Sequence, residues 1–179
     1  HHSSTTIPQQ TNVLVMTPDI QLFELTAGGL EEPRADWTQH AKQYFMAALQ
    51  EKLETTQDVV VRYEPPPHDF EQAHTHQQLI KLHETVGNAI LVHAYLTYAV
   101  LPTKKDTFDW GLGEKVRSLR DHYNADYAMF IFIRDSYTSG GRTALIIGAA
   151  LLGYAVPGGQ QRGFASLVDL NTGRTVWFN

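Results

Sequence analysis

The sequence predicts an α/β (α+β) fold: one domain built on a mixed β-sheet of about five strands with helices packed on it. Three observations predict it. Short, β-branched apolar runs alternate with longer stretches in which apolar residues recur at helical spacing, the pattern of strands joined by helices. The run Tyr127-Ala128-Met129-Phe130-Ile131-Phe132-Ile133-Arg134 is apolar on both faces, as a strand inside a sheet must be. Finally, 179 residues with 42% hydrophobic and 18% charged side chains are the size and composition of one globular domain able to bury its own core.

The elements follow in chain order. His1-His2-Ser3-Ser4 reads as the tail of an affinity tag, so residues 1–11 are expected to be loose and the domain to run from 12 to 179. Asn12-Val13-Leu14-Val15-Met16-Thr17, stopped by Pro18, predicts a buried strand. Pro18 to Pro33 reads as a long loop carrying Gly28-Gly29 and the acidic pair Glu31-Glu32, long enough to act as a lid. From Pro33 to Glu54, the positions Trp37, Ala41, Phe45, Ala48, Leu49 and Leu53 make one apolar helix face. Val59-Val60-Val61 with Tyr63 is a second strand, ended by Pro65-Pro66-Pro67.

Leu79, Leu82, Val86, Ile90, His93 and Leu96 mark a longer helix over about Asp69 to Leu101, weakened in its middle by Gly87. A third helix is expected from Gly111 to Tyr123, with Asp109 as N-cap and Asn124 as a left-handed stop. After the central strand comes Thr143 to Val156, which contains no charge and is flanked by Gly140-Gly141 and Gly158-Gly159. At about 14 residues it is short of the roughly 20 a membrane-spanning helix needs. As a helix it is apolar all round and must be buried, in its own core or against a partner. A hairpin ends the chain: Phe164 to Leu170, a turn at Asn171-Thr172-Gly173, then Arg174 to Phe178. The expected order is thus β-α-β-α-α-β-(apolar helix)-β-β. The chain stops at Asn179, at the end of a predicted strand, where a further C-terminal element is conceivable.

Composition removes several functions. A net charge of −5, with basic residues scattered, gives no stripe to track phosphates, so nucleic acid is not an expected partner. With no cysteine there is no disulfide, no thiolate nucleophile and no Cys-ligated zinc.

His68, Asp69, Glu71, His74 and His76 gather at the start of the second helix, with His83 further along. Metals accept such side chains, but no ligand motif is present; a solvated helix start accounts for them, and no metal or cofactor is expected. Asp135, Ser136, Tyr137 and Arg142 follow the central strand, where α/β proteins commonly place binding sites. Ser139-Gly140-Gly141-Arg142 reads first as a structural turn, and its N–H groups could also hold an anion. Neither a P-loop lysine nor a Gly-x-Ser-x-Gly elbow is there. A hydrolase would need Asp135 and Ser136 to meet a histidine such as His83 or His93. Phe108 and Trp110 are aromatic anchors for a partner or for the start of the third helix. Leu145 and Leu151 are the central apolar positions of the charge-free segment.

Three stretches together resemble a family. They are Thr17-Pro18-Asp19-Ile20 with Leu25-Thr26-Ala27-Gly28-Gly29 and Glu32-Pro33-Arg34-Ala35-Asp36-Trp37; Ala125-Asp126-Tyr127 through Arg134-Asp135-Ser136-Tyr137; and Gly163 to Leu170 with Trp177-Phe178-Asn179. They are similar to those of uncharacterised proteobacterial envelope proteins that are secreted or lipid-anchored, a family without an assigned catalytic residue. In element order the chain also resembles small periplasmic α/β domains: the N-terminal domain of TolB, the lipoprotein activators of penicillin-binding proteins, and the curli secretion lipoproteins. In the last group a membrane-entering segment precedes the late strands, but as alternating hairpins; Thr143 to Val156 does not alternate.

The resemblance implies a non-enzymatic, periplasmic protein, held at a membrane by a lipid anchor outside this sequence. Its partners would be other envelope proteins or a second copy of itself; the residues read above as contacts are Asp135, Ser136, Tyr137, Arg142, Leu145, Leu151, Phe108 and Trp110. The alternatives are a hydrolase, or a small-ligand module using the loop after the central strand.

Overall fold

A computed structural model describes residues 2–3, 11–53, 59–68, 71–104, 107–139 and 159–179. They form a mixed sheet with three helices packed on it, the α+β class the sequence predicts. The elements fall into two units. One comprises His1–Thr17, Lys52–Ile131 and Phe164–Asn179; the other comprises Pro18–Glu51 and Phe132–Gly163.

In the first unit the strands are β1 (His2–Ser3), β2 (Asn12–Val15), β5 (Val59–Arg62), the first half of β6 (Tyr127–Thr138), most of β7 (Gln161–Asp169) and β8 (Thr175–Phe178). They lie in the order β1-β8-β7-β6-β2-β5. β2 is parallel to both β5 and β6, while β8 is antiparallel to β7 and β1. The β-branched run that predicted β2 thus occupies an interior position, flanked on both sides.

One sheet face carries the main core. Leu14 of β2 and Met16 just after it, with Ala128 and Phe130 of β6, pack with Leu79 of α2 (Glu71–Tyr95) and Leu119 of α3 (Arg117–Tyr123). α2 buries Ala73, His76, Leu79, His83, Gly87 and Ile90, steps of three and four residues that keep one stripe on the sheet. The opposite face holds a smaller cluster of Val13, Leu167 and Val176 with Tyr127, Met129 and Trp177. At the β7–β8 turn Asp169 accepts the N–H groups of Asn171 and Thr172 at 2.7 and 3.1 Å, and Gly173 takes φ 74°.

In the second unit β3 (Asp19–Leu25) runs parallel to the later half of β6, Leu22 opposite Asp135 and Phe23 opposite Ser136. β4 (Glu31–Pro33) folds back antiparallel on β3 through a turn in which Gly29 adopts φ 84°. Helix α1 (Ala35–Leu53) follows; Thr38 in its first turn accepts the Leu22 N–H at 2.9 Å, fixing the helix start to β3.

Several boundaries differ from expectation. The described residues contain eight strands instead of about five: Pro18 to Pro33 is not a loop but holds β3 and β4, and β1 adds a third in the N-terminal stretch expected to be loose. β3 is interrupted by Asp19, Gln21 and Glu24, so its apolar content is too thin to read as a strand, yet Ile20 and Leu25 are buried. α2 stops at Tyr95, short of the expected end at Leu101; a 3₁₀ turn at Thr97–Ala99 takes up part of the remainder, and a second, Pro102–Lys104, follows beyond it. The third helix begins with a 3₁₀ turn at Glu114–Val116 and does not use Asp109 as its cap, since that carboxylate pairs with Lys104 at 2.6 Å. Asn124 does end it, in the left-handed conformation. The Thr143 to Val156 segment lies outside the described residues, as do Arg142, Leu145 and Leu151 within or beside it.

Candidate functional site

The second half of β6 sets out Arg134 to Tyr137 beside β3, and alternation sends neighbouring side chains to opposite faces. Arg134 and Ser136 share a face with Phe23; Asp135 and Tyr137 share the other.

On the first face lies a cavity of about 280 Å³, lined by Phe23, Glu31, Arg134, Asp135, Ser136, Gln160 and Arg162. Several of its polar groups are already engaged. Arg134 donates to the Asp19 carbonyl at 2.8 Å and pairs with the Asp19 carboxylate at 3.0 Å, its guanidinium 4.2 Å above the Phe132 ring. The Ser136 hydroxyl accepts the Gln160 N–H at 2.8 Å and donates to the Gln160 carbonyl at 3.2 Å. Asp135, buried, accepts the Gln161 side-chain amide at 3.3 Å. A cavity at the small end of ligand pockets, with Arg134 and Ser136 already engaged, has little to offer a small molecule.

The second face is different. Arg34, just before α1, is gripped from two sides: by Glu24 at 2.5 Å and by both oxygens of Asp36 at 3.2 and 3.0 Å. These hydrogen bonds, Asp36 first, raise the Arg34 pKa, and Arg34 in turn holds the Asp36 carboxyl below the usual range. So fixed, the guanidinium lies 4.2 Å over the Trp37 ring, and Trp37 meets Tyr137 edge-on at 6.0 Å. Tyr137 is 51% exposed, and the neighbouring Asp135 carboxylate raises its phenol above the ordinary tyrosine range. In the same unit Leu30 is 69% exposed at the Gly28-Gly29 turn, which Thr26 braces through both backbone groups of Leu30. The result is an ordered Arg–Trp–Tyr stack presented to solvent.

The other predicted residues fall elsewhere. Trp110, half-buried, lies 6.5 Å from His93 with the rings parallel, and the Lys104 ammonium sits 5.1 Å over it; Phe108 is also half-buried. His83 faces Ser166 at 2.8 Å, both buried, and stacks on Phe130. His93 bonds the Ala99 carbonyl at 2.7 Å. Asp135 and Ser136 fall in one unit, His83 and His93 in the other.

The histidines of the second helix also separate: His76 is buried against Tyr63, while exposed His74 pairs with Gln78 at 2.9 Å. Among the described residues no three acidic or histidine side chains converge as metal ligands. Arg34 and Trp37 were not singled out as site residues by sequence. Their signal, Arg34-Ala35-Asp36-Trp37 at a helix start, becomes meaningful only once β3–β6 pairing places Tyr137 beside them.

No protein-family model matches the chain, and no curated protein matches it by sequence. Two solved structures are similar. The C-terminal domain of LpoB from Salmonella enterica is 13% identical, with 96% of this chain and 82% of that one covered and a TM-score of 0.35. Lipoprotein GNA1162 from Neisseria meningitidis is 14% identical, with 94% of this chain and 76% of that one covered and a TM-score of 0.34. Likeness at this level carries no argument about fold or role.

Proposed function

We propose that this chain is a non-enzymatic protein of the bacterial envelope, periplasmic and lipid-anchored in its native form, that works by binding other envelope proteins. The observation that supports this reading is the Arg34–Trp37–Tyr137 stack. Interfaces concentrate their binding energy in Trp, Tyr and Arg, and side chains already ordered before binding lose less entropy on association. Here the two carboxylates hold Arg34, Arg34 holds Trp37, and Trp37 supports an exposed Tyr137. The resemblance of the Glu32 to Trp37 and Arg134 to Tyr137 stretches to secreted and lipid-anchored proteins supports the compartment. Leu145 and Leu151 of the charge-free segment belong to the same reading as a further contact: Leu145→Asp or Leu151→Asp is expected to abolish association with the fold intact, and loss of the fold instead would make the segment ordinary core.

The test is site-specific photocrosslinking in the native envelope, with the photoreactive side chain at position 137. A discrete crosslinked species is expected, lost when Trp37→Ala is added, and absent when the probe stands at exposed Tyr44 of the same unit. Equal products from both positions, or none from 137, overturn the reading.

A further inference from the structure

The face that carries the Arg34–Trp37–Tyr137 stack is unevenly charged. Across β6, β3 and β4, Tyr137, Glu24 and Glu32 stand in one register, so their side chains form a row on that face. Glu31, one residue earlier, opposes Leu25 and turns to the other face, where it lines the cavity. Two of the three residues in the row are therefore carboxylates, directly opposite one another on an antiparallel pair, and like charges so placed are destabilising. Arg34 answers one of them only: it pairs with Glu24 at 2.5 Å and with Asp36 at 3.0 Å. Glu32 is exposed, and among the described residues no cation pairs with it. Asp135, two residues before Tyr137, adds a further carboxylate to this face.

The chain itself shows what such surroundings hold. Arg34 lies between two carboxylates and 4.2 Å over the Trp37 ring. Glu24, Glu32 and the half-exposed Tyr137 ring repeat that combination of carboxylate and aromatic side chain where a partner can reach it. Glu32 and Tyr137 stand about 10 Å apart, two strand spacings, a distance that a few residues of an extended segment cover. A second copy of this chain meeting through the same face would set carboxylate against carboxylate, and an anionic surface would be repelled in the same way. The complement of this face is a cationic protein segment.

We propose, on the reading of the stack as a contact surface, that the partner docks there through a basic segment, which sets a Lys or Arg against Glu32 and Glu24 while its neighbouring residues cover Tyr137. The partner's cation relieves the repulsion between the two glutamates, so Glu32 contributes more to the complex than to the free fold. The aromatic stack supplies the buried contact, and the charge of the row selects which segments approach it.

The experiment keeps an aromatic photoreactive side chain at position 137 of the full chain, in the native envelope, and varies the charge at position 32. Glu32→Lys is expected to lower the yield of the crosslinked species about tenfold, and Glu32→Gln by a smaller factor, since reversal adds repulsion to the lost attraction. Glu51→Lys, the same change of net charge at an exposed site of the same unit, is expected to leave the yield unchanged. Urea midpoints separate lost contact from lost fold: Glu32→Lys turns the like pair with Glu24 into an opposite one, so its midpoint is expected to hold or rise. Should it fall instead, the uncharged Glu32→Gln variant decides. Equal yield whatever stands at position 32, or an equal fall with Glu51→Lys, overturns the basic segment and leaves the stack as a contact surface. No crosslinked species from position 137 with Glu32 in place overturns both.

Discussion

His76 shows how one side chain couples this fold to pH. It is wholly buried, its ring 5.6 Å from Tyr63 and 5.9 Å from Tyr123, with exposed His122 at 6.1 Å. Its Nδ1 lies 3.4 Å from the Tyr63 hydroxyl, and its Nε2 has no hydrogen-bond partner in the buried site. Burial, and then the charge on His122, lower its pKa below the ordinary histidine value, while the Ser118 carbonyl opposes them weakly. The nearby phenols are correspondingly hard to ionise, Tyr123 being pushed up to about 12 by burial first and then by Tyr63 and Glu64. The folded state therefore keeps His76 neutral where the unfolded chain would protonate it. The unfolded state binds the extra proton, so stability is full above the unfolded value of 6.5 and falls as pH drops from there toward the depressed folded value. Urea midpoints between pH 7.5 and 5 are expected to fall, and His76→Phe is expected to flatten that slope. An equal slope in the variant would assign the pH dependence to other groups.

At the scale of elements, the glycine in the middle of α2 reverses its sequence reading. Gly87 looks like a weak point in a long helix, since glycine costs about 1 kcal/mol there relative to alanine. In the structure a Cβ at position 87 would stand 1.9 Å from the buried Phe164 ring, so the helix comes this close to β7 only because that atom is missing. Gly87→Ala gains propensity but must displace a buried aromatic; the overlap wins, and the variant is expected to lose about 1–3 kcal/mol. Chemical denaturation measures it, and Phe164→Leu in the same chain is expected to recover part of the loss. Were Gly87→Ala stabilising, the close approach would be wrong. The helices, the central strand and the hairpin were legible because their apolar periods are long and unbroken. β3 and β4 were not, since Asp19, Gln21 and Glu24 break up the apolar content of β3 and all three residues of β4 are exposed. A strand with only one face to bury leaves half a signal.

Across the molecule, the chemistry of the candidate site was partly legible and its geometry was not. Tyr137 follows a readable strand, and Trp37 is the first apolar position of a readable helix; that they touch depends on a parallel pairing between β3 and β6 that no local pattern encodes. The distribution of buried side chains also sets which parts open first. α2 buries six residues, and β2 and β6 contribute Leu14, Ala128, Phe130, Ile131 and Phe132, none more than 4% exposed. By contrast, no side chain described in α1 is fully buried; Trp37, Ala41, Phe45 and Leu49 are half-buried, and Tyr44 is 76% exposed. Local opening free energy follows buried apolar contact, so amide exchange under native conditions is expected to be slowest in β2 and in β6, and fastest, among the long helices, in α1. That ordering matters for function, because the Arg34–Trp37–Tyr137 stack stands on the first turn of α1, where Thr38 is bonded to β3. Protection is therefore expected to persist at the N-terminal end of α1 while the rest of the helix exchanges. Thr38→Ala removes that bond and is expected to equalise exchange along α1, while also reducing photocrosslinking at position 137. If exchange equalises and crosslinking is unchanged, a rigid stack is not what the partner reads.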